Sequence, residues 1–477
     1  MDVIGVSEVA AHTGATVPAA VPDTLEVGPD VVIDSRLATP GALFVALPGE
    51  QADGHDFLAA AHARGAVAAL VTRASAEPML AELVVPDPAQ ALADLAAGVV
   101  RTLRGLDVVG ITGSSGKTST KDLLAQILEA HAPTVAPQGS FNNEIGVPLT
   151  ALRADSSTRF LVSEMGARGR GHIAWLCDLV APRVGVVVNV GSAHLGEFGS
   201  VAGIVAAKGE LVEALPADGW AVLNADDPNV AGMADRTSAR LAWFSVDRRP
   251  DRHGDLAVWA GDPTATAERY AFTLHVAPDG TSAAQVPVRL ALTGRHHVAN
   301  AVAAAAAAFA LGVPLETIGE ALTTAGPRSR WRMEITERAD GVLIVNDSYN
   351  ANPDSMRAAL ATAAGLLADR RRTAPGARLF AVLGDMLELG TAAPAEHAAL
   401  GALAARSGVG TLIAVGGHAD EVVSGAVAGG VDAVRIEVRE QAVPLLADLQ
   451  AGDIVLLKAS RGVGLDTVAT ALLEASC

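Results

Sequence analysis

The stretch Gly110–Thr120, GITGSSGKTST, follows the apolar run DVV and leads into a helical run from about Lys121. A strand, a glycine-rich turn and a helix in this order surround phosphate groups with backbone N–H groups at the start of the helix. Lys117 is placed to reach the β- and γ-phosphates of a nucleotide, and Thr118 to bind Mg²⁺. The usual pattern has glycine where this chain has Ile111, so a glycine-rich turn without nucleotide is the alternative. In this setting the stretch predicts a nucleotide-binding domain with a parallel sheet.

Apolar runs along the rest of the chain predict further α/β structure. TRFLVSEM, RVGVVVNV and WAVLNAD are nearly continuous apolar runs, as expected for parallel strands that are buried on both faces. A second series of such runs begins after Pro327, and the segment before residue 105 mixes short apolar runs with alanine-rich stretches. The predicted fold class is α/β with three domains, two of them with parallel sheets. They are a mixed α/β domain (1–105), a central P-loop domain with an antiparallel β insertion (106–326) and a Rossmann-like domain (327–477).

The predicted insertion lies between about Leu241 and Leu292, where apolar residues form shorter, alternating runs. This pattern predicts an antiparallel hairpin around Asp279 and Gly280. The alanine-rich run Val298–Leu311 follows it. That run is shorter than the roughly 20 residues that span a bilayer, so it predicts a buried helix.

The composition excludes several classes of function. The formal net charge is −18 with no basic cluster, which argues against a broad nucleic-acid interface. Two cysteines cannot form a disulfide framework or a cysteine metal site. Because the sequence shows neither a secretory signal nor a membrane-spanning run, a cytoplasmic protein is expected.

Lysine is rare in this chain. Only four of the 35 basic residues are lysines, namely Lys117, Lys121, Lys208 and Lys458. If arginine replaces lysine wherever any positive charge suffices, the remaining lysines mark positions that need an amine. Lys121 lies one helical turn after Lys117 and is interpreted as a solvated or supporting charge. Lys208 lies in a helical run, where a lysine that extends to solvent is the alternative.

Two polar residues follow apolar runs close to the phosphate loop. Glu164 ends FLVSE, and His194 comes shortly after VVVNV. Carboxylate and imidazole groups at strand ends are placed to hold a nucleotide-bound Mg²⁺, although either residue could instead cap a helix. With the phosphate loop adjacent, metal binding is favoured.

Several longer motifs resemble the Mur ligase and folylpolyglutamate synthase superfamily. The spacing Gly113-x-x-Gly116-Lys117-Thr118 is similar to the ATP loop of that superfamily, and the resemblance runs in family order from Asp34 to Arg461. The matching motifs are SFNNEIGVPLT (Ser140–Thr150), SEMGA (Ser163–Ala167), NVGSAHLGEFGS (Asn189–Ser200), AAKGEL (Ala206–Leu211) and NDSYNANPDSM (Asn346–Met356). The first and last of them resemble the MurF branch, whose members join D-alanyl-D-alanine to UDP-N-acetylmuramoyl-tripeptide.

The resemblance implies an ATP-dependent, ADP-forming ligase of peptidoglycan synthesis that works through an acyl phosphate. The implied substrates are ATP, UDP-N-acetylmuramoyl-tripeptide and D-alanyl-D-alanine. The implied cofactors are two Mg²⁺ ions and a carbamate that CO₂ forms on Lys208. No nucleic-acid partner and no membrane span are expected, and the expected state is a monomer.

The resemblance also assigns roles to individual residues. The implied metal ligands are Thr118, Glu164, His194 and Lys208, and the implied catalytic residues are Lys117, Lys208, His194, Lys458 and Arg461. ATP binding is expected of Gly113, Ser114, Ser115, Gly116, Lys117, Thr118, Ser119, Asn300, Arg332, Asp347 and Asn350. Substrate binding is expected of Ser35, Arg36, Gly54, His55, Asn142, Asn143, Glu144, Tyr349, Asn352, Lys458 and Arg461. Without the resemblance, Asn300 would be a helix cap, Asn142–Glu144 a turn, and the C-terminal polar residues ordinary loop charges.

Three other functions remain as alternatives at this point. A folylpolyglutamate synthase would not need a uridine-binding first domain, and a diamino-acid-adding Mur ligase typically has an Asp-Asn-Pro-Arg motif that this chain lacks. A P-loop NTPase that drives motion or switching would hydrolyse ATP without an acceptor and would leave Lys208 unexplained. A nucleotide-sugar binding module would not need the phosphate loop and its metal ligands.

Overall fold

The computed structural model describes residues 1–49, 52–191, 195–266 and 269–475 of the chain. Its strands form one two-stranded, one four-stranded, one nine-stranded and one six-stranded sheet. The first two lie before residue 85, the third lies between residues 107 and 293, and the fourth between residues 334 and 458. The α/β architecture predicted from the apolar runs is confirmed.

The N-terminal part contains a four-stranded sheet in the order β3-β4-β5-β6, and all of its strands are parallel. The sequence predicted parallel sheets only in the other two domains. These strands are two to four residues long, too short to show the continuous apolar run that reveals a buried parallel strand. The elements are β1 (Ile4–Gly5), α1 (Val6–Thr13), β2 (Glu26–Val27), β3 (Val31–Val32), β4 (Leu43–Val45), α2 (Leu58–Ala63), β5 (Ala68–Val71), β6 (Ala81–Val84) and α3 (Pro88–Thr102).

The central sheet has nine strands in the order β15-β14-β13-β12-β11-β10-β7-β9-β8. Strand β7 leads into the phosphate loop and lies between β10 and β9, so successive strands are added on its two sides. Such a reversal of strand order leaves a crevice at the carboxyl ends of the strands, where α/β proteins bind ligands. The strands are β7 (Asp107–Thr112), β8 (Thr134–Val135), β9 (Phe160–Glu164), β10 (Val184–Val187), β11 (Trp220–Asn224), β12 (Arg240–Asp247), β13 (Leu256–Thr266), β14 (Arg269–Pro278) and β15 (Ala284–Thr293). The helices are α4 (Lys117–Glu129), α5 (Gly146–Ala151), α6 (His172–Val180), α7 (Leu195–Phe198), α8 (Val201–Glu213), α9 (Pro228–Ala231), α10 (His296–Ala310) and α11 (Leu315–Thr324).

The predicted antiparallel hairpin is present, and its turn includes Asp279 and Gly280. It does not form a separate insertion, because β13, β14 and β15 continue the parallel sheet as an antiparallel edge. The alanine-rich run forms α10, in which Ala301–Ala308 includes seven alanines and one valine with no exposed surface. Small side chains let this helix pack closely on the sheet. Of the helices in the described ranges, none combines the length and apolar character needed to cross a bilayer.

The C-terminal sheet has six strands in the order β16-β17-β21-β18-β19-β20, and all pairs except β16–β17 are parallel. The strand that is last in sequence, β21, lies in the interior between β17 and β18. The carboxyl ends of these three strands therefore meet at one edge of the sheet. The elements are β16 (Glu334–Glu337), β17 (Leu343–Asn346), α12 (Pro353–Arg370), β18 (Leu379–Gly384), α13 (Ala393–Arg406), β19 (Thr411–Val415), α14 (Ala419–Ala428), β20 (Asp432–Ile436), α15 (Ala442–Leu445), β21 (Ile454–Lys458) and α16 (Asp466–Glu474).

Candidate active site between the central and C-terminal sheets

The carboxyl ends of the central and C-terminal sheets face a common cavity of about 550 Å³. Its central-sheet wall contains the phosphate loop, and its C-terminal wall contains the loops after β17, β18 and β21. The sequence-predicted residues that line it are Ser114, Ser115, Gly116, Lys117, Thr118, Ser119, Asn142, Asn143, Glu144, Glu164, Asn300, Arg332, Asp347, Tyr349, Asn350, Asn352, Lys458 and Arg461. The fold therefore brings together most of the residues that the sequence singled out.

The phosphate loop is shaped for an anion. Gly116 has a φ of 78°, and a Cβ at this position would lie 2.5 Å from the Asn300 side-chain oxygen, so glycine is needed for both conformation and space. Asn189 Oδ1 accepts hydrogen bonds from the backbone N–H of Ser114 (3.1 Å) and Ser115 (2.9 Å). These bonds fix the turn from outside, and the first N–H groups of helix α4 remain available to bind a phosphate.

Lys117 is half-buried at the base of this loop, where its Nζ donates to the carbonyl oxygen of Gly113 at 2.7 Å. Burial lowers the pKa of Lys117, and the nearby carboxylates of Glu164 and Glu388 oppose that shift. An anionic phosphate would act in the same direction as these carboxylates and favour the charged ammonium. Lys117 is thus placed to interact with phosphate through its charge.

Thr118 and Glu164 form the described part of the predicted metal site. Thr118 Oγ1 lies 2.9 Å from Ser140 Oγ, and Glu164 Oε1 accepts a hydrogen bond from Asn142 Nδ2 at 2.8 Å. Glu164 is only 1% exposed, and no described residue bonds to its second oxygen, Oε2. A buried carboxylate oxygen without a partner is unfavourable, and a hard cation such as Mg²⁺ would satisfy it. These two residues fit such an ion.

The other two predicted metal ligands, His194 and Lys208, are not among the described residues that line the cavity. His194 lies outside the described residues. Lys208 lies on α8, is 2% exposed, and is not part of the cavity wall. Burial, with a further contribution from the charge of Lys117, lowers the pKa of Lys208 well below its usual value. Within residues 1–49, 52–191, 195–266 and 269–475, no three His, Cys, Asp or Glu side chains group in a way that could hold a metal ion.

Of the two interpretations of Lys121, that of a solvated charge is wrong. Its side chain is 2% exposed, pairs with the carboxylate of Asp122, and donates to the carbonyl oxygen of Pro137 at 3.0 Å. One face of α4 packs on the sheet and another packs on α10, so the position one turn after Lys117 is enclosed. Lys121 is a paired interior cation that does not line the cavity.

Asn300 lies inside α10, which begins at His296, so the helix-cap alternative is wrong. It is 3% exposed, and its Oδ1 lies 3.4 Å from Thr120 Oγ1. Its Nδ2 and the Nδ1 of His297 are buried, and neither has a partner among the described residues. Unpaired polar atoms of this kind, directed at a cavity beside the phosphate loop, are suited to a polar ligand.

The adjacent histidines predict how stability depends on pH. Burial lowers the pKa of His296 to about 4, from an ordinary 6.5, and lowers the pKa of His297 well below 6.5. Between pH 6.5 and about pH 4, His296 binds a proton in the unfolded chain but not in the folded one. The free energy of unfolding therefore falls as the pH falls through this range. We expect a loss of about 2 kcal/mol from His296 alone between pH 7 and pH 5 in urea denaturation. His296→Gln should reduce this loss, and equal stability at both pH values would contradict the prediction.

The C-terminal wall of the cavity is a network of paired cations. Lys458 Nζ donates to Asp347 Oδ2 at 2.6 Å and to the carbonyl oxygen of Asn350 at 3.0 Å. Arg332 donates to Ser140 Oγ at 2.8 Å, and its guanidinium lies 4.3 Å from the centre of the Tyr349 ring. These contacts hold the C-terminal domain against the loop that leads to Asn142.

Arg461 and Asn352 complete this wall. Arg461 pairs with Asp466 at 2.6 Å and lies 4.0 Å from the centre of the Trp331 ring. Asn352 caps α12 by accepting from the Ser355 backbone N–H. Its Nδ2 also lies 3.5 Å from the carbonyl oxygen of Ser114, which brings the start of α12 to the phosphate loop.

Residues 142–144 line the cavity, but each makes a different contact. Asn142 supports Glu164, as described above, whereas Asn143 Oδ1 accepts from the backbone N–H of Gly146 at 2.9 Å. Asn143 therefore also stabilises the turn before α5, as the alternative reading held. Glu144 is exposed and lies 3.5 Å from His172.

The four predicted residues of the N-terminal domain lie elsewhere. Ser35 and Arg36 follow Asp34, whose carboxylate accepts from the Arg36 side chain at 2.7 Å. Gly54 and His55 form a short turn, in which His55 Nδ1 lies 2.8 Å from Asp53 Oδ1. These residues are not part of the cavity wall, so their expected contact with substrate stays a prediction.

Sequence reasoning missed several residues of the cavity wall. Ser140 and Asn189 are ends of the quoted motifs, and each makes hydrogen bonds that shape the site. Leu387 and Glu388 follow strand β18 in the run LGDMLELG, and neither was singled out from the sequence. The position of that run at a strand carboxyl end was the available signal.

Three family models match the chain in order. They are described as "Mur ligase family, catalytic domain" over residues 30–99, "Mur ligase middle domain" over 111–308, and "Mur ligase, glutamate ligase domain" over 331–461. Together they cover the part of the chain that contains the cavity.

Individual proteins give the same family. The chain is 46% identical to the UDP-N-acetylmuramoyl-tripeptide–D-alanyl-D-alanine ligase of Mycobacterium tuberculosis, across 93% of this chain and 92% of that protein. The crystal structure of MurF from Acinetobacter baumannii superposes with a TM-score of 0.85 at 32% identity, covering 99% of both chains. MurF from Thermotoga maritima, in complex with ADP, superposes with a TM-score of 0.76 at 27% identity, covering 94% and 97%. The chain belongs to the Mur ligase family, in its branch of UDP-N-acetylmuramoyl-tripeptide–D-alanyl-D-alanine ligases.

Proposed function

We propose that this ligase joins D-alanyl-D-alanine to UDP-N-acetylmuramoyl-tripeptide and cleaves ATP to ADP and phosphate. The product is the UDP-N-acetylmuramoyl-pentapeptide used in peptidoglycan synthesis. The observation that carries the proposal is the shared cavity, in which a phosphate loop from one domain faces the Lys458 and Arg461 loop of another. A switch or motor NTPase has no need for such a second wall, whereas a ligase must hold an acceptor there.

The first step transfers the γ-phosphoryl group of ATP to the terminal carboxylate of the tripeptide. The backbone N–H groups of the phosphate loop and the ammonium of Lys117 hold the phosphates and offset their charge, which is the main contribution to phosphoryl transfer. Mg²⁺, held by Thr118 and Glu164, would supply further charge neutralisation at the phosphates. Asn300 and the unpaired atoms beside it would hold the base end of the nucleotide.

The second step forms the amide bond. The amine of D-alanyl-D-alanine, after its ammonium form has lost a proton, attacks the carbonyl carbon of the acyl phosphate. The C–N bond forms, the C–O bond to phosphate breaks, and the second proton released from nitrogen leaves with the phosphate. Lys458 and Arg461 are placed to receive the dipeptide carboxylate or charge that develops during the reaction, although each also has a protein partner. The contacts of Arg332 with Ser140 and of Asn352 with Ser114 keep the two walls together, which limits entry of water to the acyl phosphate.

We propose that Lys208 carries the carbamate. Burial lowers the pKa of Lys208 and so favours its neutral amine, which is the form that adds to CO₂. Addition forms an N–C bond and releases one proton, which converts the buried neutral amine into an anion. The resulting carboxylate would support a second Mg²⁺ together with His194.

The remaining assignments are also proposals. We propose domain boundaries near residues 105 and 326, because α3 ends at Thr102, β7 begins at Asp107 and no sheet formed by the described residues crosses either point. The Asp34–Arg36 and Gly54–His55 turns would bind the uridine diphosphate part of the substrate. Use of ATP and a nucleotide-linked precursor favours a cytoplasmic location, and we propose a monomer.

Phosphate release tests this function. With ATP and Mg²⁺ present, release should require both UDP-N-acetylmuramoyl-tripeptide and D-alanyl-D-alanine, and mass spectrometry should show the pentapeptide. Release driven by a free amino acid would indicate a different Mur ligase activity. Release without either substrate would support a switch or motor NTPase, and products of AMP and pyrophosphate would exclude an acyl phosphate.

A further inference from the structure

The loop after β18, residues 385–390, forms part of the C-terminal cavity wall and has an unusual backbone. Leu387 and Glu388 of this loop line the cavity, and both are exposed. Glu388 has a φ of 71°. A non-glycine residue in this left-handed region is strained and persists only where its surroundings impose it. The environment of the loop should therefore contain the contacts that hold Glu388 in place.

His397 of α13 is one of these contacts, and it lies beneath the loop with no exposed surface. Its Nε2 accepts a hydrogen bond from the Met386 backbone N–H at 2.9 Å, and its Nδ1 lies 2.7 Å from the carbonyl oxygen of Ala393. The neutral ring with its proton on Nδ1 satisfies both bonds. The ring also stacks on His418, with 4.6 Å between ring centres. Two hydrogen bonds and one ring contact thus fix the position of His397.

The backbone of Leu387 and Glu388, in the middle of the loop, makes two further hydrogen bonds. The Leu387 backbone N–H donates to Ser460 Oγ at 3.0 Å, next to the Arg461 loop. On the other side, the Gly196 backbone N–H of the central domain donates to the Glu388 carbonyl oxygen at 3.1 Å. These contacts make the position of Glu388 depend on both domains that form the cavity.

Glu388 lies on the cavity wall opposite the phosphate loop. Glu388 and Lys117 line the same cavity, one from the C-terminal domain and one from the central domain. A carboxylate of the C-terminal domain therefore faces the cavity in which the acyl phosphate would form. An attacking amine must arrive at that same place.

We propose that Glu388 binds the ammonium group of the incoming dipeptide, and that His397 is a positioning residue for this contact. The inference rests on the proposed function, because it requires an acceptor with a free amino group. Such a group is mostly protonated at neutral pH, and a carboxylate attracts it. Two carboxylate oxygens accept several hydrogen bonds, so Glu388 can bind an ammonium alongside other partners. Arg461, on the same wall, matches the carboxylate at the other end of the dipeptide.

Steady-state kinetics of Glu388→Gln tests the contact. We expect the KM for D-alanyl-D-alanine to rise about tenfold, the usual scale for a hydrogen bond between charged groups. The KM values for ATP and UDP-N-acetylmuramoyl-tripeptide should not change. Glu437→Gln is the matched control, because Glu437 is an exposed carboxylate of the same domain outside the cavity. It should leave all three KM values unchanged.

Propanoyl-D-alanine, which is the dipeptide without its amino group, separates binding of the ammonium from other effects. As an inhibitor it should bind the unmodified enzyme about tenfold more weakly than the dipeptide does, and the two should bind Glu388→Gln equally. His397→Leu should raise the dipeptide KM as Glu388→Gln does. His397→Gln retains an acceptor near the Nε2 position and should restore most of the loss, which a general structural defect would not show.

Two results would overturn the inference. One is a dipeptide KM in Glu388→Gln within about twofold of the unmodified enzyme, and the other is an equal rise for all three substrates. If the unmodified enzyme shows no dipeptide-dependent phosphate release, the proposed function itself is wrong and the inference falls with it. The kinetics of the unmodified enzyme therefore distinguish the two failures.

Discussion

Lys208→Arg should lower the rate of pentapeptide formation by about a thousandfold or more, the scale seen when charge stabilisation is removed from a transferring group. Arginine keeps its proton in proteins, so it cannot add CO₂ and would leave a cation where the carbamate is proposed. The Lys208 side chain is buried, so the larger guanidinium of arginine would also lose its hydration. The positive charge of Lys117 further disfavours a cation at this position. Phosphate release and product mass, measured with both substrates at saturation, check this outcome.

Chemical rescue gives the matching control. Lys208→Ala should regain part of its activity when acetate or another short carboxylic acid is added, because the acid can occupy the space of the lost carbamate. Lys117→Ala should not respond to the same acids, since it lacks a cation. Near-normal turnover of Lys208→Arg would exclude the carbamate.

Lys117→Met should reduce turnover by about 100- to 1000-fold, as expected when one preorganised charge is lost from a phosphoryl-transfer site. Methionine keeps much of the length of the side chain and loses only the ammonium that bonds to Gly113 and faces the phosphates. Single-turnover formation of ADP, with UDP-N-acetylmuramoyl-tripeptide present and no dipeptide, isolates the first step. We expect this step to slow as much as overall turnover does. A variant that lost turnover but formed ADP at the normal rate would place Lys117 in the second step.

The strands and the phosphate loop could be predicted because their signal is local. Parallel strands that are buried on both faces, such as β9 and β10, must be apolar throughout, and the residues that follow them meet at one edge. Glu164 was placed correctly at such an edge by this argument alone. The short strands of the N-terminal sheet gave a weaker signal, and their parallel pairing was not predicted.

Residues whose role depends on packing could not be predicted. Spacing of four residues puts Lys121 on the same helix face as Lys117, but only the position of α10 shows that Lys121 is enclosed. Glu388 is an ordinary glutamate in the sequence, and its left-handed backbone follows from contacts with His397, Ser460 and Gly196. These contacts join segments that are far apart in the chain.

The scarcity and burial of lysine have a consequence for chemical labelling. Lys121, Lys208 and Lys458 are each 2% exposed, and Lys117 is half-buried beneath the phosphate loop. Reagents that acylate primary amines usually modify many exposed lysines on a protein surface, but none of the four lysines of this chain is exposed. The lysine that such a reagent reaches most readily is Lys117, which the proposed site would place under ATP. Labelling of Lys117 should then be seen without nucleotide and should be lost when nucleotide is added.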